Sequence, residues 1–303
     1  MATEGSKTAV LAAIIGNSAI AVAKFAAAAV TGSSAMFSEG VHSVADTGNQ
    51  TMLLWGLNAA KKEANADHPF GRGKEIYFWS FMVAVILFVG GAILSIDHGI
   101  EAIRDPHELD SPLTSVIVLL IAIVIEGFTF AVALREFNRV RGTRSTWRSI
   151  RDTKDTALLV VLLEDSAAMA GLLLALIGIG LAELTGNPIW DGVASVAIGL
   201  LLAVIAFVLA FETKALLVGE AASRRDRASI RSLVLAHPNV TAVGRLLTMH
   251  MGPSEILVNL DVDLVSDLDD QAVEQAIDEI EAAIREVLPS ARNIFVELES
   301  IRG

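Results

Sequence analysis

Residues 189–211, IWDGVASVAIGLLLAVIAFVLAF, form an apolar run broken by a single acid, Asp191. A helix needs roughly 20 residues to cross a hydrocarbon core of about 30 Å, and this run is long enough. Similar runs recur upstream, giving six candidate spans at about Lys7–Val30, Ser34–Ala59, Ile76–Ile100, Leu113–Leu134, Thr156–Leu181 and Ile189–Phe211. Each is expected to be helical. Lipid cannot satisfy backbone hydrogen bonds, and continuous apolar runs of this length are not the alternating strands of a barrel. The whole chain agrees: 53% of its 303 residues are hydrophobic and its mean hydropathy is +0.57, so the excess apolar surface must face lipid.

The basic residues set the orientation. Lys61, Lys62, Arg72 and Lys74 follow the second span, and Arg135, Arg139, Arg141, Arg144, Arg148, Arg151 and Lys154 follow the fourth. By the positive-inside rule both loops are cytoplasmic. The loops after spans three (Glu101, Asp105, His107, Glu108, Asp110) and five (Glu183) are acidic and belong on the far side. The chain is therefore expected to be an integral, multi-pass protein of the cell (inner) membrane with both termini in the cytoplasm. The run opened by Lys7 is too long and too polar for a cleavable signal, and the start is not the Arg- and Ser-rich composition of a transit peptide.

From about Lys214 the reading changes to that of a soluble domain. A helix over Arg224–Ala236 leads through a His-Pro-Asn turn to a strand over Val243–Met251, ended by Gly252-Pro253. A second strand, Ile256–Leu264, alternates apolar and polar. Asp267 to Asp270 open an amphipathic helix with Val273, Ala276, Ile277, Ile280, Ile284 and Val287 on one face, and Asn293–Leu298 supplies a third strand. The expected fold is an α-helical membrane protein with six transmembrane helices (1–213) and a C-terminal α+β domain of order αββαβ (214–303).

Composition removes several classes of function. Without cysteine there is neither a disulfide framework nor a thiolate metal site, so a bound metal must use oxygen and imidazole nitrogen. A net charge of −12 argues against nucleic acid as a partner. The spans hold no Ser/His, Cys/His or H-E-x-x-H arrangement, so the protein is not expected to be an enzyme.

Chemistry concentrates in two spans. His42 and Asp46 are four apart in span two, which places imidazole and carboxylate on one helix face. Ionisable residues inside a bilayer are costly and mark function by default; the plainer reading is a polar clamp between helices. Span five carries the adjacent acids Glu164 and Asp165, which cannot both ionise cheaply without a cation. Neighbours on a helix diverge by about 100°, so Asp165 is the first choice of ligand and Glu164 the second. Together with His42 and Asp46 they would make a tetrahedral N/O site for an ion such as Zn²⁺. Lys24 in span one and Glu126 in span four also need partners in lipid: they pair across the bundle, or Glu126 joins a proton path. Trp55, Tyr77, Trp79 and Trp190 lie near span ends and read as an aromatic belt.

Three stretches, TGSSAMFSEGVHSVADTGNQ (31–50), HPFGRGKE (68–75) and TGNPIWDGVASVAIGLLLAV (185–204), resemble the cation diffusion facilitator family, and the match covers nearly the whole chain. Within it LLEDSAAMAGL (162–172) resembles the branch that includes the mitochondrial zinc transporter of animals. The resemblance implies a homodimer of six-span protomers and metal/proton antiport by alternating access. It also implies a ferredoxin-like, metallochaperone-like C-terminal domain. It matches His42, Asp46 and Asp165 to ligands, but the first ligand of the fifth span falls on Val161. Glu164, Asn49 or water would then complete the shell, and the oxygen-richer set makes Mn²⁺ or Fe²⁺ more plausible beside Zn²⁺.

Auxiliary family sites transfer poorly. In the first loop His68 is retained, but Arg72 stands where a second His is often found, and a guanidinium opposes cation binding. Ligand positions of the C-terminal domain fall on Gly244, Asn259 and Val296, so no dinuclear cluster is expected there. His237 and His250 read as turn and strand-surface residues, and Asp261, Asp263, Asp267, Asp269 and Asp270 as a solvated face.

Imidazole binds metal only when neutral and carboxylates only when ionised, so loading competes with protons. The functional expectation is a proton-coupled divalent cation antiporter exporting Zn²⁺, or Mn²⁺ or Fe²⁺, from the cytoplasm through a single intramembrane site. The cation is cargo and no cofactor is expected; metal, proton, bilayer and a second copy of the chain are the partners. Lys24, Asn49, His68 and Glu126 are accessory or proton-pathway candidates. The alternative is a membrane-anchored regulatory or interaction protein that has lost transport and acts through its C-terminal domain.

Overall fold

A computed structural model describes residues 4–107, 111–141 and 156–299. The loop bases Arg144, Arg148, Arg151 and Lys154 and the acids Glu108 and Asp110 lie outside the described residues. The chain divides into two compact units, Met1–Asn58 with Phe78–Thr213, and Ala59–Tyr77 with Lys214–Gly303. The segment Ala59–Tyr77, which adjacency in sequence places in the transmembrane half, thus groups with the C-terminal residues.

The first unit is helical. Its elements are α1 (Glu4–Thr31), α2 (Ser34–Ala60), α3 (Glu75–Arg104), α4 (Pro112–Arg141), α5 (Thr156–Thr185) and α6 (Ile189–Val218). Each covers a stretch expected to span the membrane. Among the described residues, three are long and apolar enough to cross a bilayer: α3, α5 over Val160–Thr185, and α6. Asn17–Thr31 of α1 and Pro112–Phe128 of α4 are shorter apolar segments. Three of the six expected spans are thus clear among the described residues, and α2 carries many polar side chains along its length.

Small residues let these helices approach. A Cβ added to Gly99 of α3 would lie 2.7 Å from the Val196 amide nitrogen of α6, and one on Gly199 of α6 would lie 2.9 Å from the Ala92 carbonyl of α3. Backbone thus meets backbone, as in membrane helix pairs joined through small residues. Helix α3 is π-helical over Leu87–Ile93, where the ladder loosens at Gly90-Gly91 and Leu202 of α6 packs against Gly91. The core of the unit is rich in alanine, including Ala27, Ala35, Ala45, Ala84, Ala122 and Ala167.

The second unit has the order αββαβ: α7 (Arg224–Leu235), β1 (Val240–Gly252), β2 (Glu255–Leu264), α8 (Asp270–Val287) and β3 (Ala291–Leu298). The sheet is mixed: β1 and β2 pair antiparallel through the Gly252–Glu255 turn, and β3 returns parallel to β2. Period two on β2 buries Ile256, Val258, Leu260 and Val262 against Ile230 and Val234 of α7 and Ile280 and Ile284 of α8. Ser223 caps α7 by accepting from the Asp226 amide, and Asp269 caps α8 by accepting from Ala272. The loop segment is held closely in this unit: a Cβ on Gly73 would come within 2.5 Å of the Met251 carbonyl.

Two sequence readings change here. His250 is buried and not at the strand surface. Asp261 is likewise buried, and its carboxylate accepts from Arg245 Nε at 2.7 Å, so it leaves the solvated acidic face expected for it. Hydrogen bonding from Arg245, the largest cause, holds the Asp261 carboxyl below its usual range. His237 stays in its turn with Nε2 3.0 Å from Glu279.

Candidate metal site in the helical unit

Helix α2 begins where Ser33 and Ser34 follow Gly32, a residue with φ of 70° that ends α1. Its first amides are held by an acid from another helix. Asp191 of α6 accepts from the Ser34 amide at 2.6 Å, the Ser34 hydroxyl at 2.8 Å, the Ser33 hydroxyl at 2.6 Å and the Ala35 amide at 3.3 Å. A carboxylate at a helix N-terminus satisfies orphan donors and complements the helix dipole. Ser38 meets Ser195 of α6 one turn later, at 2.6 Å. These contacts fix the rotation of α2 against α6.

With that rotation set, one stripe of α2 turns its polar side chains inward. Ser38, Glu39, His42, Ser43 and Asn49 are all buried, with Asp46 partly so. Their spacing follows the helical period, so they line one face. Two groups of partners meet this stripe.

The first group is charged. Lys24 of α1, fully buried, donates from Nζ to Glu39 Oε2 at 3.0 Å, to Ser43 Oγ at 2.8 Å and to Glu126 Oε1 of α4 at 2.9 Å. The pairing of Lys24 with Glu126 expected from sequence is therefore present, and a second carboxylate, Glu39, shares the ammonium. The other Glu39 oxygen, Oε1, is buried without a hydrogen-bond partner and packs against Gly171 of α5.

The second group gathers about Asp46. His42 Nδ1 lies 3.6 Å from Asp46 Oδ1, and both His42 ring nitrogens and Asp46 Oδ1 are buried without hydrogen bonds. One turn further, Asn49 Nδ2 donates to Glu164 Oε1 of α5. Asp46 interacts electrostatically with Glu164, Glu126, Lys24 and Asp165. Of the two acids on α5, Glu164 is buried and hydrogen-bonded to α2, whereas Asp165 is half-buried. Val161 packs against the apolar core.

As they stand, no three His, Asp or Glu side chains among the described residues converge closely enough to hold a metal ion. The arrangement instead offers ligand-type atoms with open lone pairs, imidazole and carboxylate side by side, on the inner face of one helix. His68 lies elsewhere, in the second unit, with Nδ1 3.4 Å from Arg72 Nη2. Sequence reading missed Glu39 and the capping role of Asp191. For Glu39 a signal existed, since Glu39, His42 or Ser43, Asp46 and Asn49 recur every three or four residues.

Helices that bury carboxylates, an imidazole and a lysine side by side within an apolar unit define a membrane protein that handles ions. Comparison with known proteins is specific. The cation efflux transmembrane domain matches residues 10–218, and the cation efflux protein cytoplasmic domain matches residues 222–301. The chain belongs to the cation efflux, or cation diffusion facilitator, family. It is 31% identical over 214 residues to the mouse protein named proton-coupled zinc antiporter SLC30A9, mitochondrial, and 32% identical over 215 residues to the Xenopus laevis protein of that name. It is 28% identical over 216 residues to metal tolerance protein C4 of Arabidopsis thaliana. Each match covers 70% of this chain but only 38%, 38% and 47% of the relative, so the chain spans less than half the length of these relatives.

Proposed function

We propose that this protein is a proton-coupled antiporter that exports a divalent cation, Zn²⁺ in the first instance, from the cytoplasm. Mn²⁺ and Fe²⁺ are the alternatives that an oxygen-rich ligand set admits. The observation that carries the reading is the pair His42 and Asp46. A buried imidazole with both nitrogens unpartnered beside a buried carboxylate oxygen is costly in an apolar unit, and a divalent cation removes that cost. Glu164 and Asp165 on α5 supply the remaining oxygens, with Asn49 orienting Glu164. Closure of α5 on α2 by a short distance would complete the site, and such closure is the movement that alternating access requires. Six spans, both termini in the cytoplasm and a homodimer formed through residues 214–303 belong to the same proposal, supported by the two family matches.

The zinc antiporter names of the animal relatives support the choice of ion and the proton coupling. Ion and ligand set are tested together by competition binding of Zn²⁺, Mn²⁺, Fe²⁺, Co²⁺ and Cd²⁺ to the purified protein, repeated with Glu164→Ala. Zinc preference that falls in the variant supports the site. Unchanged binding in Glu164→Ala removes Glu164 from the ligand set.

A further inference from the structure

The cluster of Lys24, Glu39 and Glu126 holds two carboxylates around one ammonium. With both acids ionised its net charge is −1, and with one proton added it is neutral. A net charge buried among apolar helices is expensive, so the empty transporter favours the neutral, protonated cluster. Glu39 is the seat that burial selects, its side chain fully enclosed where that of Glu126 is 11% exposed. Its Oε2 faces Lys24, while Oε1 is buried, without a hydrogen bond, against the Gly171 backbone. A bare carboxylate oxygen there costs far more than a neutral carboxyl.

Charged and titratable groups around the cluster come from several helices. Lys24 faces it from α1 and Glu126 from α4. On α2 itself His42 and Asp46 follow Glu39, and Asp46 interacts with Lys24 and Glu126. On α5, Glu164 and Asp165 interact with Asp46, and Asp165 also with Glu126. Asp191 of α6 is committed to the start of α2, and His98 of α3 stacks on Phe37, 4.3 Å between ring centres. The cluster therefore senses the charge beside Asp46.

We infer that Glu39 carries an exchangeable proton, distinct from any proton on the metal ligands, and gives it up when a divalent cation arrives beside Asp46. This inference rests on the metal reading above. The O–H bond of the Glu39 carboxyl breaks, the proton leaves to water on the side from which the cation enters, and the cluster goes from neutral to −1. The negative charge is then compensated by the cation. Departure of the cation restores the cost of the charge, and a proton returns from the opposite side. One carboxyl outside the ligand shell thus couples proton to metal in a site where Val161 has displaced a titratable ligand position.

The test is calorimetric titration of the purified full-length protein with Zn²⁺ in buffers of different ionisation enthalpy, which counts protons released per zinc. Glu39→Gln, which keeps an acceptor for Lys24, is expected to bind zinc while releasing about one proton fewer than wild type. Glu39→Asp, which keeps a carboxyl but shortens the arm, is expected to restore the release. A merely structural clamp predicts the reverse order: the isosteric Gln unaffected and the shorter Asp impaired. Equal proton release by Glu39→Gln and wild type would overturn the inference. Wild type that binds no zinc would instead overturn the metal reading on which it rests. In the infrared difference spectrum on zinc addition, wild type is expected to lose a protonated carboxyl band that Glu39→Gln does not lose; an identical loss in both, or no loss in wild type, contradicts the inference.

Discussion

Asn49 of α2 donates its side-chain amide to Glu164 of α5, joining residues 115 apart in sequence inside the helical unit. The bond lies one turn from Asp46 and makes Glu164 an oriented carboxylate. Groups that orient metal ligands typically contribute 10–100-fold to affinity. Asn49→Ala is therefore expected to weaken zinc binding by about tenfold with little loss of fold, as read by competition with a chelating dye. Wild-type affinity in Asn49→Ala would mean that Glu164 needs no orientation.

Lys24 forms buried ion pairs with both Glu39 and Glu126, at 3.0 and 2.9 Å. Removing one member of a buried ion pair leaves an uncompensated charge and costs about 3–5 kcal/mol. Lys24→Met is expected to lower the thermal midpoint in detergent markedly. The triple variant Lys24→Met, Glu39→Gln, Glu126→Gln, which has no charge to compensate, is expected to recover most of the loss. Failure of the triple variant to recover would assign the effect to packing of the lysine stem.

Asp191 satisfies four donors at the start of α2. Asp191→Ala leaves these buried groups unpaired, at a cost of about 1–3 kcal/mol for the most exacting of them. The expected outcome is reduced stability together with faster hydrogen exchange at Ser34 and Ala35. Exchange that stays slow would show that Ser33 alone, whose hydroxyl accepts from the Met36 amide at 3.1 Å, caps the helix.

In the C-terminal unit, Arg245 lowers the Asp261 carboxyl below its usual range. A group whose pKa is depressed on folding binds fewer protons in the folded than in the unfolded state near that pKa. Its stabilising contribution is present above the unfolded value, about 3.9, and is lost as pH falls through the lower folded value. Asp261→Asn is expected to flatten the acid limb of the stability curve below about pH 4, with the neutral region shifted uniformly. An unchanged acid limb would place the proton uptake on other carboxylates.

Much of this architecture was legible in the residues. Long apolar runs located the helices, and alternation on 256–264 located the central strand, because both periods reflect burial on one face. The inward stripe of α2 was legible from His42 and Asp46. The spacing of Glu39 with His42, Asp46 and Asn49 placed it on the same stripe, but its pairing with Lys24 of another helix leaves no mark in local spacing. Asp191 escaped for the same reason: a carboxylate capping a helix in which it does not reside follows only from packing. The grouping of Ala59–Tyr77 with the C-terminal residues depends on the fit of Gly73 against the Met251 and Gly252 backbone, a contact that adjacency cannot foretell.

The central claim is metal transport driven by protons through the α2 and α5 residues. It is tested most directly by zinc uptake into proteoliposomes with and without a pH gradient, in wild type and in Asp46→Ala and Asp165→Ala. The account predicts uptake in wild type that is accelerated by a gradient acidic on the release side, and none above background in either variant. Zinc uptake indifferent to the gradient, or retained in Asp165→Ala, would contradict it.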